Sequence, residues 1–233
     1  KVNFMINHKE TWLLWLRKSM DASPLVRCKW VEQISTILAG DFAVSSEHFN
    51  ELVTGYIKGL LDVEERVRFS ACRALDNLGS KTMLEKLCTK DVLNTLIQLI
   101  REKNPEIRNE ILKILGGVYN TYLALSTLNE IVSFGHQNTE EECNEIRDII
   151  LRDIPNNILS LIYINDKEIT ASVDAALFEV LLPLETNTTK RVERLCQFFA
   201  SLNEKSKNSF VAITKRQQQV SKVVLKYLDL ANT

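Results

Sequence analysis

The protein has 233 residues, of which 45% are hydrophobic, and its 29 basic and 30 acidic residues leave a net charge of −1. This apolar fraction is sufficient for a continuous core, whereas the near-neutral charge excludes a general electrostatic attraction to nucleic acid or anionic membranes. Only seven glycines and four prolines interrupt the chain, which favours long helices over an all-β fold.

Three further features of the sequence narrow the class of protein. No run of 18 apolar residues is present, so we expect no membrane contact. The five cysteines are widely spaced and odd in number, which is typical of reduced, intracellular proteins. Because the chain opens on Lys1 instead of methionine, we expect it to be a fragment of a longer protein.

The first half of the chain is predicted to form helical pairs. Apolar periodicity, proline at helix starts and glycine after helix ends define the boundaries. A short segment at residues 81–88 separates two of the helices, which are predicted over residues 8–20, 24–39, 45–61, 63–78, 91–103 and 105–125. Gly116 and Gly117 inside the last of these helices predict a kink or a tight contact.

A pattern of 14 residues organises these pairs, because it occurs four times. In each copy an acidic residue stands six positions before an arginine, which follows a β-branched aliphatic residue and precedes a buried apolar stripe. The acidic and basic members are Asp21 and Arg27, Asp62 and Arg68, Glu102 and Arg108, and Glu141 and Arg147. The copies lie 41, 40 and 39 residues apart, a period typical of HEAT and armadillo repeats.

These acidic and basic residues have a structural interpretation. A buried arginine needs a hydrogen-bonded partner, so the spacing suggests a polar ladder that runs from repeat to repeat. We therefore expect an all-α fold, an α-solenoid of HEAT-type helical pairs. Residues 1–126 would form three repeats, and residues 127–233 less regular helices that end in a long one.

The second half of the chain separates its charges. Residues 138–185 contain eleven acidic and three basic residues, and residues 186–226 contain two acidic and nine basic residues. The basic residues of the last predicted helix offer a contact face for DNA or for an acidic protein, or simply a solvated surface. They are Lys207, Lys215, Arg216, Lys222 and Lys226.

No arrangement of residues in the sequence predicts catalysis. The histidines His8, His48 and His136 lie on different elements, and no cysteine pair has the spacing of metal ligands. Neither a phosphate-binding glycine loop nor a nucleophile motif is present. We therefore predict that the protein is not an enzyme and carries neither a cofactor nor a metal.

The helix predicted over residues 45–61 carries a candidate binding surface. Its apolar stripe covers about half of the helix circumference, wider than one partner helix requires. Leu52 and Tyr56 lie at the edge of this stripe, beside Gly55 and Gly59, where another helix backbone has room to approach. This approaching helix belongs either to the neighbouring repeat or to a foreign peptide.

Several segments of the chain together resemble one family. They are residues 21–34, 154–166, 177–185, 210–219 and 226–228. This combination resembles the precocious-dissociation-of-sisters family, the HEAT-repeat regulators of cohesin, in a fungal-type version. The resemblance extends over nearly the whole chain, which would be a minority of a family member's length.

The resemblance implies a nuclear, chromosome-associated scaffold that binds the kleisin subunit of cohesin. It also implies work with the wings-apart-like releasing factor and with the cohesin acetyltransferase, so that cohesion is both maintained and released. The candidate binding surface then predicts where the kleisin docks: at Leu52, Tyr56 and the strip of Gly55 and Gly59, with Val2 and Lys58 nearby. The alternatives are a generic HEAT-repeat adaptor for linear peptides and a DNA-contacting solenoid surface.

Overall fold

A computed structural model describes residues 7–40, 46–127, 134, 139–183 and 187–231. Every regular element in these ranges is helical, and the fold is all-α, of the HEAT-repeat solenoid class. The chain divides into two compact units, Lys1–Ile154 and Pro155–Thr233.

The helices of the first unit follow the predicted pairs closely. They are α1 (Lys9–Arg17), α2 (Pro24–Ala39), α3 (Ser46–Leu60), α4 (Glu65–Leu78), α5 (Ser80–Lys86), α6 (Lys90–Leu99), α7 (Pro105–Thr127) and α8 (Glu140–Asp148). A 3₁₀ turn, Lys18–Met20, extends α1, and a π-helical turn, Ile149–Asp153, follows α8.

Two layers of helices make up this unit. In one layer α1 contacts α3, α3 contacts α6 and α6 contacts α8, while in the other α2 contacts α4 and α4 contacts α7. The second layer contains the helices of the first three copies of the 14-residue pattern. Their apolar stripes form the core between the layers, with members such as Ile34, Leu75 and Leu115 buried.

Local chemistry explains where these helices begin and end. Pro24 occupies the first turn of α2, where no backbone donor is required. Asn104 Oδ1 accepts a hydrogen bond of 2.7 Å from the N–H of Glu106 at the start of α7. Gly79 ends α4 with a φ of +79°, a conformation that side chains with a Cβ atom rarely adopt.

The glycine pair in α7 produces a close contact, one of its two predicted outcomes. A Cβ atom on Gly117 would lie 2.5 Å from Ser80 Oγ. The helix continues from Pro105 through this position to Thr127. The missing side chain therefore lets α5 approach the backbone of α7.

The second unit contains the less regular helices. They are α9 (Ile154–Ser160), α10 (Lys167–Ala175), α11 (Thr188–Ser201) and α12 (Glu204–Ala231), with a 3₁₀ turn at Leu161–Ile164 and a π-helical turn at Ala176–Leu181. Asn165 adopts a left-handed φ of 55° and ends the 3₁₀ turn, and Asp166 then caps α10. Leu177, Phe198 and Ile213 are buried in its core.

The chain divides at a different place from the predicted domain boundary at residue 126. The first unit extends to Ile154 and includes α8, the helix of the fourth copy of the pattern. The description of residues 1–126 as three complete repeats stays a prediction, since it includes positions outside the described ranges.

Candidate peptide-binding groove

The predicted binding surface on α3 is mostly core, which corrects the expectation that it faces a partner. Leu52 and Tyr56 have 0% of their surface exposed. The Tyr56 hydroxyl donates a hydrogen bond to the Ala71 carbonyl oxygen in α4. A side chain in this position packs the two helices of a repeat together and is unavailable to a peptide. Val2 lies outside the described residues.

The two glycines of α3 are also covered, because a helix of the neighbouring repeat packs against them. A Cβ atom on Gly55 would lie 2.6 Å from the Trp30 ring, and one on Gly59 would lie 2.5 Å from Val31 Cγ1. Both contacts come from α2. Of the two alternatives for the bare strip, packing within the protein is therefore the one that the structure contains.

Among the described members of the predicted kleisin-binding set, Lys58 is the exposed one. It lines a groove between α1 and α3. The groove has a volume of about 660 Å³. It is lined from α1 and its 3₁₀ turn by Leu13, Leu16, Arg17, Ser19 and Met20, and from α3 by Asn50, Glu51, Thr54, Gly55 and Lys58.

The walls of the groove combine apolar and charged side chains. Met20 is 65% exposed, and its sulfur accepts a contact of 3.3 Å from Lys58 Nζ. Arg17 and Lys58 have no carboxylate within ion-pair distance in the described part of the chain. With Glu51 as the acidic lining residue, the groove has a cationic excess.

A row of tryptophans supports the α1 wall from beneath. The Trp12 and Trp15 rings stack with centroids 4.9 Å apart, and Trp15 lies 5.2 Å from Trp30 in α2. Trp12 and Trp30 are buried. Aromatic pairs at these separations are stabilising, so this row packs α1 against α2.

The polar ladder has a consistent geometry in its first two steps. Arg27 donates to both carboxylate oxygens of Asp62 at 2.6 and 2.8 Å, and Arg68 Nε donates to Glu102 at 2.9 Å. Each arginine also donates to the backbone carbonyl of the acidic residue in its own copy, Asp21 or Asp62, at 2.8 Å. The carboxylate thus links neighbouring repeats, and the carbonyl closes the turn within one repeat.

These ion pairs lower the pKa values of both carboxyl groups. The hydrogen bond from Arg27 lowers the pKa of Asp62 below 3.8, against the opposing effect of burial. For Glu102, burial raises the pKa, but the hydrogen bond and charge of Arg68 outweigh it and the pKa falls below 4.5. Both groups are therefore ionised partners of their arginines at neutral pH.

The later copies depart from this arrangement. Arg108 is buried and donates to the Glu102 and Lys103 carbonyl oxygens at 3.0 and 3.5 Å. Glu141 lies in the first turn of α8 and is exposed, and Arg147, exposed on the same helix, bonds Asn144. The fourth copy shares the sequence pattern, but its acidic residue is not in the turn before the helix.

The predicted basic face on α12 is not one uniform surface. Arg216 is paired with Asp174 of α10 at 2.6 and 2.7 Å, and Lys207 with Glu204 at 2.9 Å. Lys215, Lys222 and Lys226 are outside these pairs, and all three are exposed. The charge separation between the two segments is therefore partly used inside the second unit, and DNA contact stays a prediction.

The described residues show neither metal-binding nor membrane-spanning features. No group of three histidine, cysteine or acidic residues is placed to hold a metal, and no described helix is long and apolar enough to cross a bilayer. All five cysteines are free thiols. Burial raises the pKa of Cys72 and of Cys88 to about 12, which makes both poor nucleophiles.

Sequence reasoning missed the α1 side of the groove. Leu13, Leu16 and Met20 follow one another at spacings of three and four, and this signal is present in the sequence. Beside Trp12 and Trp15 this signal is indistinguishable from part of a single aromatic core face. The structure divides that face, so that Trp12 is buried while Leu13 and Leu16 line the groove.

Comparison with known proteins places the chain among cohesion proteins. Residues 1–233 match the family model described as sister chromatid cohesion protein PDS5. The chain is 32% identical over 230 residues to the PDS5 protein of Saccharomyces cerevisiae and 23% identical over 224 residues to that of Schizosaccharomyces pombe. These matches cover 99% and 96% of the chain and 17% of each relative, so the chain spans about a sixth of their length.

A solved structure gives the same result at the level of the fold. The structure of a Pds5–Scc1 complex contains a chain that is 31% identical to this one, with a TM-score of 0.79. The similarity covers 98% of this chain and 32% of the solved one. The family model and the yeast relative together show that this chain belongs to the sister chromatid cohesion protein PDS5 family.

Proposed function

We propose that this chain is part of a non-enzymatic scaffold that regulates cohesin by binding its kleisin subunit, and that the groove between α1 and α3 receives a kleisin segment. The observation that carries the proposal is the similar chain found in a complex with Scc1, which is a kleisin. In this role the protein acts in the nucleus on chromosomes, and it contributes to the maintenance and release of cohesion.

The groove has the chemistry that a peptide helix requires. In helix-in-groove recognition, apolar side chains at spacings of three and four enter an apolar channel while charged residues at the rim set the orientation. Leu13, Leu16 and Met20 supply the apolar side, and Arg17 and Lys58 supply rim cations. We therefore infer that the kleisin segment presents apolar residues to the α1 wall and carboxylates to the two cations.

Two further partners are proposed from the family resemblance. The wings-apart-like releasing factor and the cohesin acetyltransferase are proposed partners of the complete protein. The groove is assigned to the kleisin segment, so these two factors would contact other surfaces.

Titration calorimetry of the 233-residue chain with a peptide spanning the amino-terminal third of the cognate kleisin tests the proposal at physiological salt. We expect saturable binding that Met20→Glu or Lys58→Glu weakens by about tenfold or more, because each change places a negative charge in the groove. Both side chains are exposed, so circular dichroism should show unchanged folding.

Lys103→Glu is the matched control, since Lys103 is exposed in the turn before α7 and outside the groove. It should change the affinity by less than about twofold. Equal weakening by Lys58→Glu and Lys103→Glu would show general charge attraction and contradict the assignment to the groove. Absence of binding by the folded chain would contradict a kleisin site in these residues and favour a generic peptide adaptor.

A further inference from the structure

The second unit contains an apolar pocket that the proposed kleisin groove does not include. Its volume is about 400 Å³. It is lined by Phe178, Leu182 and Pro183 near the π-helical turn, by Arg191, Arg194 and Leu195 of α11, and by Phe210 and Thr214 of α12.

Large apolar side chains continue from this pocket onto the surface. Leu195 is 41% exposed, Phe199 is 37% exposed and Val211 is 39% exposed. Leu195 and Phe199 are four residues apart on α11, so they lie on the same side of that helix. The Phe199 and Phe210 rings lie 6.0 Å apart, which joins the α11 and α12 parts into one apolar surface.

The rim of the pocket is cationic. The Arg194 guanidinium donates to the Leu181 carbonyl oxygen at 3.0 and 3.3 Å, which anchors it at the edge of the pocket. Arg191, one turn earlier on α11, is exposed and has no carboxylate partner among the described residues. Glu193 lies about 160° from Leu195 around the helix, so its charge is directed away from the rim.

We propose that this pocket binds an acidic amphipathic peptide segment of a partner protein. Apolar side chains of the peptide occupy the pocket between Phe178, Leu195 and Phe210, and a carboxylate of the peptide pairs with Arg191. An arginine pairs with a carboxylate through two parallel hydrogen bonds, which sets the orientation of the peptide. The site belongs wholly to the second unit, so it does not depend on the groove between α1 and α3.

A designed peptide serves as the probe of this site. It is a fluorescein-labelled peptide of about 15 residues, with leucine or phenylalanine at spacings of three and four and glutamate at most other positions. Fluorescence anisotropy follows its titration with the 233-residue chain. We expect saturable binding with Kd on the order of 10 µM at physiological salt.

Two comparison peptides separate the contributions. A peptide with lysine in place of each glutamate and a peptide of scrambled sequence with the same composition should both bind at least about tenfold more weakly. Equal binding of the scrambled peptide would reduce the interaction to charge attraction and overturn the proposal. Equal binding of the lysine peptide would also overturn the proposal, because pairing between arginine and carboxylate would then contribute nothing.

Variants of the chain then locate the site. Arg191→Glu should weaken binding by about tenfold or more, while Lys222→Glu, an equal change of charge on the exposed part of α12, should alter it by less than about twofold. Arg191→Gln gives a second test with a smaller perturbation, and circular dichroism checks folding.

Three further results would overturn the proposal. They are failure of the acidic peptide to bind the folded chain, equal weakening by Arg191→Glu and Lys222→Glu, and a dimer in sedimentation experiments that Leu195→Glu dissociates. The last result would show that a second copy of the chain occupies the pocket.

Discussion

At the scale of single residues, Tyr56 shows how a partly polar side chain serves the core. It is fully buried, and its hydroxyl donates to the Ala71 carbonyl oxygen. Burial raises the pKa of Tyr56 well above 10, so the hydroxyl stays protonated and able to donate. Removal of the hydroxyl in Tyr56→Phe should lower the free energy of unfolding by about 1 kcal/mol in urea denaturation, because one buried hydrogen bond is lost.

Tyr56→Lys extends the same test, since a buried charge without a partner costs far more than a lost hydrogen bond. We expect it to reduce the free energy of unfolding by more than about 4 kcal/mol or to prevent folding. For Tyr56→Phe the matched control is Tyr163→Phe, which also removes a hydroxyl. Tyr163 is exposed, and its hydroxyl donates to the Lys205 carbonyl oxygen at 3.2 Å. A folded Tyr56→Lys with an unchanged urea midpoint would contradict the core assignment.

At the scale of elements, α2 and α3 approach each other closely because α3 carries Gly59 at their contact. A Cβ atom at that position would lie 2.5 Å from Val31 Cγ1, and Val31 is itself buried. Alanine at position 59 would stabilise the helix by about 1 kcal/mol through its higher helix propensity. Overpacking against Val31 would cost about 1–3 kcal/mol. We expect Gly59→Ala to lower the thermal midpoint measured by circular dichroism, so that the steric effect prevails.

A double-mutant cycle with Val31→Ala identifies the cause. If the clash with Val31 is responsible, Gly59→Ala should cost less in the Val31→Ala background than in the wild-type chain, by about 1 kcal/mol or more. Thr54→Ala, at an exposed position of the same helix, should change stability by less than about 0.5 kcal/mol. Additive effects of the two core changes would exclude a direct contact.

At the scale of the whole molecule, the ladder of the first unit makes stability depend on acid. The pKa values of Asp62 and Glu102 are lowered in the folded chain, so their stabilising effect is complete above the unfolded values, near 3.8 and 4.5. It is lost as the pH falls through the lower folded values. We expect the thermal midpoint to decrease from about pH 5 to pH 3, and Arg68→Gln should make this decrease smaller.

Two carboxyl groups act in the opposite direction and must be considered in the same measurement. Burial raises the pKa of Glu110 and of Asp153, so protonation of these groups favours the folded state. The comparison of Arg68→Gln with the wild-type chain isolates the ladder, since both proteins contain these groups. Lys29→Gln, which removes an exposed pair with Glu32 outside the ladder, should retain the wild-type pH dependence. If Arg68→Gln and the wild-type chain showed the same pH dependence of the thermal midpoint, the ladder would not be the cause of the acid sensitivity.

Much of this protein was predictable from local chemistry. The repeat period, the helix boundaries at Pro24 and Pro105, and the all-helical class follow from residue spacing, because a helix start and an apolar stripe are properties of a few consecutive residues. The family resemblance, based on several segments together, was confirmed by the family model.

Tertiary structure alone decided which apolar residues line a groove and which are buried in the core. Tyr56 and Leu13 are both apolar-face residues in the sequence, yet the first is core and the second lines a groove. The fourth copy of the pattern keeps its acidic residue and arginine, but α8 begins earlier and both become exposed. Burial depends on which helix packs against a given face, and that is a property of residues distant in the chain.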